Sequence, residues 1–191
     1  FLKFSIESSQ ISLSRDKKSI FITYNINEGE KYTIDDVDVI GDVPFEEEIY
    51  SDIINSLKEQ TYSQAQITSI EEFFVNVLGN RGYAFAEVSG DTEIIDDSNE
   101  IKLIFTVVPG KKTYTRKILF TGNNVTQDHV MRREMRQFEG AWSSDNSIEA
   151  GKVRLERLGY FKEVNVETIP VVGTDDQIDI VYSVEEETTG S

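Results

Sequence analysis

The chain has 191 residues and a formal net charge of −16, and 38% of its residues are hydrophobic, including eleven phenylalanines and eight tyrosines. This composition supplies enough apolar side chains for packed cores, which argues against an intrinsically disordered chain. It has no cysteine, which excludes disulfide scaffolds and cysteine-based metal sites. Its one histidine, His129, excludes a metal site built from several histidines. No apolar run approaches the roughly 18 residues of a membrane-spanning helix.

The charge is unevenly distributed along the sequence. Residues 111–136 hold seven basic and two acidic side chains, a local charge of +5, so the remainder carries −21. Residues 35–59 hold nine acidic side chains and one basic side chain. A field of this sign repels phosphate and argues against nucleic-acid binding. It suits a protein partner of complementary charge, although ordinary solvated faces explain the pattern equally well.

The N-terminal residues alternate apolar and polar side chains, which predicts strands over 1–14 and 20–26. The segment lacks the basic stretch and apolar block of a signal peptide. It begins in the middle of the alternation, so we expect a piece of a longer protein.

The next elements follow the order strand, helix, helix, strand, strand. A strand is predicted over 32–40, followed by a helix that Pro44 and the acidic cluster 46–48 open. A second helix is predicted from Ser63, because apolar side chains recur at helical spacing after it. Two strands are predicted after this helix, at about 84–95 and 100–108.

The same order returns in the C-terminal half. A strand is predicted over 113–121, followed by a helix whose apolar side is Val130, Met131, Met135 and Phe138. A second helix is predicted with its apolar residues at Ile148, Leu155 and Leu158. The final hairpin pairs 163–169 with 178–184 across a "GTDD" turn.

Similar stretches of sequence recur with a period close to 80 residues: Ile20, Ile101 and Ile178 begin three similar strands. The sequence therefore predicts an α+β protein of tandem β-α-α-β-β modules, each a three-stranded mixed sheet covered on one face by two helices. We expect a C-terminal hairpin of a preceding module at 1–29 and two modules at 30–110 and 111–191, with one strand of each module at a sheet edge. The short joints are assigned to Gly29, Tyr32, Gly110 and Tyr114.

The stretch "VMRREMRQFEGAW" (130–142) places three arginines beside the only tryptophan, Trp142. At 100° per residue, a helix over this stretch carries Arg132, Arg136 and Glu139 on one side. These side chains either pair within the helix or face a partner, and the residues alone leave both readings open. Trp142 is expected to pack in or beside the core rather than to anchor an interface.

The acidic turns raise the question of an enzyme or a metal site. Asp96, Asp97 and Glu100 form one cluster, and Asp175 and Asp176 form another. Both fall in predicted hairpin turns, where aspartate is favoured by local backbone hydrogen bonds. Neither has the ligand ladder of a calcium loop, and no nucleophile–base set or phosphate loop is visible. We predict no catalytic residue, no cofactor and no metal.

Over its whole length the chain resembles the POTRA modules of the BamA family of outer-membrane-protein assembly factors. The resemblance rests on the repeat, the "LGYFKEV" step (158–164), the joints "INEGEKY" and "VVPGKKTY", and above all "RREMRQFEGAW". The ending "VEEETTGS" (184–191) is similar to the stretch where the last POTRA module passes into a membrane barrel. The resemblance assigns 1–29 to the third module, 30–110 to the fourth and 111–191 to the fifth.

The resemblance implies a non-enzymatic scaffold on the periplasmic face of the outer membrane of a Gram-negative bacterium. Its expected partners are a BamD-like lipoprotein, the rest of the barrel assembly complex, unfolded outer-membrane protein precursors and the protein's own C-terminal membrane barrel. Arg132 and Glu139 match the family's contacts with the lipoprotein, and Arg133 and Arg136 lie beside them.

Precursors are expected to add as strands at a sheet edge, for which the candidate residues are Val164, Val166 and Thr168. The alternative is a POTRA-bearing transporter or a two-partner secretion pore that binds one dedicated exported substrate. The "RREMRQFEGAW" motif argues against that alternative.

Overall fold

The computed structural model describes residues 5–27, 29–95 and 98–187. The chain divides into two compact units. The first comprises Phe1–Gly41, Phe45–Glu71 and Ser89–Thr106, and the second comprises Asp42–Pro44, Glu72–Val88 and Val107–Ser191. Asp96 and Asp97, which the sequence places in a hairpin turn, lie outside the described residues.

The first two predicted strands form an antiparallel hairpin, β1 (Ser5–Leu13) and β2 (Ile20–Asn27). Leu13 pairs with Ile20 and Ile11 pairs with Ile22, so these apolar side chains share one face. Every residue of both strands is exposed. The hairpin therefore presents an apolar face that none of the described residues covers.

The first β-α-α-β-β repeat contains β3 (Thr33–Gly41), α1 (Ser51–Leu57), α2 (Gln64–Gly79), β4 (Glu87–Ile94) and β5 (Glu100–Val108). A single 3-10 turn at Glu47–Ile49 precedes α1, where the acidic cluster predicts a helix start. The strands are ordered β3-β5-β4. Alternate residues of β5 are fully buried, namely Ile101, Leu103, Phe105 and Val107, as expected of a central strand.

The second repeat has the same order of elements: β6 (Tyr114–Thr121), α3 (Asp128–Arg132), α4 (Asp145–Arg157), β7 (Phe161–Pro170) and β8 (Gln177–Glu186). Its strands are ordered β6-β8-β7, with β6 parallel and β7 antiparallel to β8. The predicted α+β fold of tandem β-α-α-β-β modules is confirmed. Within the described part of the chain, no helix is both long and apolar enough to cross a membrane.

The core of the second repeat lies between its two helices and the inner face of the sheet. Met131 and Met135 meet Leu155 of α4 and alternate residues of β8 there. Tyr182, at the middle of β8, is fully buried and donates a hydrogen bond from its hydroxyl to the carbonyl of Ile148, at 2.7 Å. Burial raises the pKa of the Tyr182 phenol far above its usual range, so the hydroxyl remains a donor at every physiological pH.

One strand of each module was predicted at a sheet edge, and the second strand does lie there, as β4 and as β7. In both sheets the last strand in the sequence takes the central position, so the first strand lies at an edge as well as the second. The hairpin pattern alone leaves the place of the first strand undetermined, because that strand pairs with β5 or β8 across the whole module.

The helix predicted to carry Val130, Met131, Met135 and Phe138 is shorter than predicted. Helix α3 ends at Arg132, and the following residues form turns that lead to Trp142. The buried side chain of Gln137 is bonded across these turns: its amide donates to the Trp142 carbonyl at 2.9 Å and accepts from the Ser144 N–H at 3.1 Å. Phe138, predicted on the apolar side of the helix, is 64% exposed.

Candidate partner-docking site on the second sheet

The edge of β6 that faces away from β8 is covered by the segment that follows α3. The N–H of Gly140 bonds the carbonyl of Thr115 at 2.7 Å, and the N–H of Thr115 bonds the carbonyl of Ala141 at 2.9 Å. Two residues further on, the N–H of Ser143 reaches the carbonyl of Thr113 at 2.9 Å. The first half of β6 thus has a backbone partner on each side.

Arg132 and Glu139 continue this cover with their side chains. A carboxylate oxygen of Glu139 accepts the N–H of Ile118 at 2.8 Å, and the Arg132 guanidinium donates to the Ile118 carbonyl at 2.9 Å. The two charged groups are 3.2 Å apart. The sequence predicts the pair on one helical face, but the structure brings it together by a chain reversal. Each side chain remains nearly half exposed, at 44% for Arg132 and 45% for Glu139.

Further contacts fix the orientation of the Arg132 guanidinium. It lies 3.2 Å from a carboxylate oxygen of Asp128, one helical turn earlier. Its carbon is 5.3 Å from the centre of the Phe120 ring, within the range of a cation–π interaction. A planar fork that meets two carboxylates, a carbonyl and a ring has few alternative rotamers, so the charge is held in place at the surface.

The neighbouring predicted residues are placed differently. Arg133 is exposed and approaches a carboxylate oxygen of Glu134 at 3.4 Å, and Arg136 is exposed. Trp142 stacks on Tyr114 with the ring centres 3.8 Å apart and is 45% exposed. The half-buried packing expected for Trp142 agrees with this position. Phe138, the residue before Glu139, is exposed as well.

The predicted strand-addition residues lie on β7, which is an edge strand. Val164 is buried in the core, Val166 is partly buried and Thr168 is exposed. The assignment of this edge to an incoming strand remains a prediction.

Of the predicted joint residues, Gly29 and Gly110 have φ angles of 71° and 69°, which favour glycine. Tyr32 is buried, and Tyr114 stacks on Trp142. Their role as joints between modules also remains a prediction.

The loop between β6 and α3 is held by Glu186 at the end of β8. Its carboxylate accepts the N–H groups of Asn124, Val125 and Thr126 at 3.0, 2.9 and 2.6 Å. The bond from the Thr126 N–H, supported by the other two, lowers the pKa of the Glu186 carboxyl below its usual range. A groove of about 1180 Å³ runs beside this loop and is lined in part by Val125, Val130 and Tyr160.

We expect this loop to loosen in acid. Because the folded-state pKa of Glu186 is lowered, its contribution is complete above the ordinary glutamate pKa and is lost as the pH falls through the lowered value. The amide NMR signals of residues 124–126 should shift with a midpoint below the ordinary glutamate pKa. In Glu186→Gln this midpoint should disappear. An unchanged midpoint in the variant would contradict the assignment.

The described acidic turn residues have ordinary structural partners or positions. Asp175 pairs with the Lys111 ammonium, which lowers the pKa of that carboxyl. Glu100 and His129 are exposed. Across residues 5–27, 29–95 and 98–187, no three side chains of histidine, aspartate or glutamate are grouped so that they could hold a metal ion.

Comparison with known proteins identifies the family. The sequence profile of POTRA, described as a surface antigen variable number repeat, matches residues 32–110 and 113–187. The chain belongs to the POTRA family. The two matched stretches correspond to the two β-α-α-β-β units of the structure.

Relatives and solved structures carry the similarity over the whole chain. The outer membrane protein assembly factors BamA of Buchnera aphidicola and Neisseria meningitidis are 32% and 31% identical over 98% and 100% of this POTRA chain. It spans only 30% and 24% of their lengths. The crystal structure of Haemophilus influenzae BamA POTRA3-5 matches with a TM-score of 0.86 and 30% identity, over 97% of this chain and 73% of that one.

Sequence reasoning missed three parts of this POTRA surface. The bonds to the Ile118 backbone, the contact with Phe120 and the loop held by Glu186 all join residues far apart in the sequence. A strand shows by its alternation which side chains face the core, but the partners of its backbone edge leave no local pattern. The one available signal was the opposite charge of Arg132 and Glu139.

Proposed function

We propose that this chain is part of a periplasmic scaffold of the outer-membrane β-barrel assembly machinery. It binds an accessory lipoprotein and unfolded outer-membrane protein precursors, without catalysing a reaction. The observation that carries the proposal is its similarity, over nearly its whole length, to proteins named outer membrane protein assembly factors. The two POTRA repeats offer sheet edges and charged surfaces, the features by which such modules hold other proteins.

The lipoprotein, of the BamD type, docks at Arg132 and Glu139. Three features support this position: both charges are fixed by several contacts, both remain nearly half exposed, and the residue before Glu139 is an exposed phenylalanine, Phe138. A preorganised pair of opposite charges favours a partner with the complementary pair, since little side-chain freedom is lost on binding.

Charge reversal at this pair tests the docking site. We expect Arg132→Glu and Glu139→Lys each to weaken binding of the cognate lipoprotein by about ten- to a hundredfold, because each leaves a partner charge unmatched or repelled. Isothermal titration calorimetry with the purified lipoprotein measures the change, and circular dichroism checks that the variants fold.

Lys162→Glu is a matched control. Lys162 is also exposed and bonds a single carboxylate, Glu185 at 2.8 Å, but it lies on β7. Its reversal should leave lipoprotein affinity within about twofold, as expected of a charge outside the interface. If both reversals at the docking pair bind like the parent chain, the site is wrong. If the lipoprotein does not bind the parent chain at all, the proposed partner is wrong.

A further inference from the structure

An edge strand of a sheet presents backbone donors and acceptors that can pair with another chain. At the start of β6, the C=O of Thr113 and both backbone groups of Thr115 are bonded by the backbone of residues 140–143, and the N–H of Thr113 is bonded by the carbonyl of Gly82. After the bulge at Thr115–Lys117, the alternation of the strand turns the N–H and C=O of Ile118 and Phe120 to this same edge. At Ile118 the cover changes from backbone to side chains.

We propose that Arg132 and Glu139 form an edge plug, a pair of side chains that closes β6 to strand pairing. Without the plug, β6 pairs with β6 of a second copy of this chain. The inference shares its residues with the proposed docking site, but it rests on the contacts of the free chain and is tested without a partner.

The two side chains of the plug give Ile118 the hydrogen bonds that a neighbouring strand would give it. A neighbouring antiparallel strand gives such a residue one acceptor for its N–H and one donor for its C=O. Glu139 supplies the acceptor at 2.8 Å and Arg132 the donor at 2.9 Å, both ordinary backbone hydrogen-bond distances. Because the two side chains also bond each other, a strand can enter only after both have left.

A second copy fits the edge once it is open. Two β6 strands paired antiparallel around Leu119 place Ile118 opposite Phe120 and Lys117 opposite Thr121, so no like charges face each other. Ile118 of each copy then forms two backbone hydrogen bonds with Phe120 of the other copy, one through its N–H and one through its C=O. Leu119 is 41% exposed and meets its own copy at the centre. The same patch on both copies gives a closed two-fold dimer rather than a fibre.

Two substitutions at one position separate the plug from the charge. Glu139→Ala removes the acceptor of the Ile118 N–H, whereas Glu139→Gln retains an acceptor oxygen and loses only the charge. Glu185→Ala is the matched control, because it breaks the exposed ion pair with Lys162, 2.8 Å apart. Amide hydrogen exchange at Ile118, measured by NMR on the free 191-residue chain, reports whether the edge is closed.

At chain concentrations low enough for Glu139→Ala to be monomeric, we expect Ile118 to exchange at least about tenfold faster than in the parent chain, because its amide is then open to water. Glu139→Gln and Glu185→Ala should retain the parent rate. In sedimentation velocity, Glu139→Ala should show a concentration-dependent dimer that the other variants lack.

Each result decides one part of the proposal. Slow exchange of Ile118 in monomeric Glu139→Ala would overturn the plug. Fast exchange in a Glu139→Ala that stays monomeric at every concentration would overturn pairing with a second copy. Lipoprotein binding by Glu139→Gln is a separate measurement: parent-like affinity would contradict docking through the Glu139 charge and would leave the plug standing.

Discussion

Gly122→Ala is expected to destabilise the second unit by about 3 kcal/mol or more, from left-handed backbone strain together with overpacking. Gly122 has a φ of 85° and follows the last residue of β6. A β-carbon there would stand 2.0 Å from the carbonyl oxygen of Val184 in β8. That oxygen belongs to the central strand, so it cannot move without distorting the sheet.

Gly173→Ala separates the two causes. Gly173 has nearly the same φ, 84°, but no atom lies within 4 Å of its added β-carbon. It should therefore show only the backbone cost, about 1–2 kcal/mol. Denaturant unfolding followed by the fluorescence of Trp142, the single tryptophan, reports on this unit. Equal losses for both variants would show that the close approach to Val184 contributes nothing.

Gly151→Ala is expected to destabilise the same unit by about 1–3 kcal/mol, although alanine is the better helix former. Gly151 lies on the buried side of α4, and its β-carbon would stand 2.6 Å from the Tyr182 hydroxyl. The added methyl group would displace this hydroxyl from the Ile148 carbonyl that it bonds.

Removing the hydroxyl should relieve that clash. Tyr182→Phe alone should cost about 1–2 kcal/mol for the lost hydrogen bond. The double variant should be more stable than the sum of the two losses predicts, by about 1–2 kcal/mol, because the atom that alanine meets is gone. Tyr160→Phe, at an exposed tyrosine, is the control and should be nearly neutral. Strict additivity would contradict the contact.

The sequence predicted the order of elements because local patterns determine it. The alternation of β8 and the spacing of Ile148 and Leu155 show which side chains face the core, and a family resemblance joined the repeats into a known fold. The central position of β5 and β8 was not predicted, since strand order depends on pairing across some 60 residues.

The candidate site was predicted in part. The residues Arg132 and Glu139 were identified and do meet, but the helix expected to bring them together ends at Arg132. Met131 and Met135 were predicted to face the core, and both do, Met131 from α3 and Met135 from the turns that follow it. The amide of Gln137, which is buried and bonds Trp142 and Ser144, looks in the sequence like any surface glutamine.

The central position of β8 also governs when its sheet can form. The edge strands β6 and β7 pair with β8 and not with each other, and β8 is the last of the three along the chain. A chain that emerges from synthesis or export with its N-terminus first therefore holds β6 and β7 without their shared sheet partner until residues 177–186 arrive. Both pairings of this sheet therefore depend on the arrival of β8, and the pairing of β6 with β8 joins residues that lie far apart in the sequence, which slows folding.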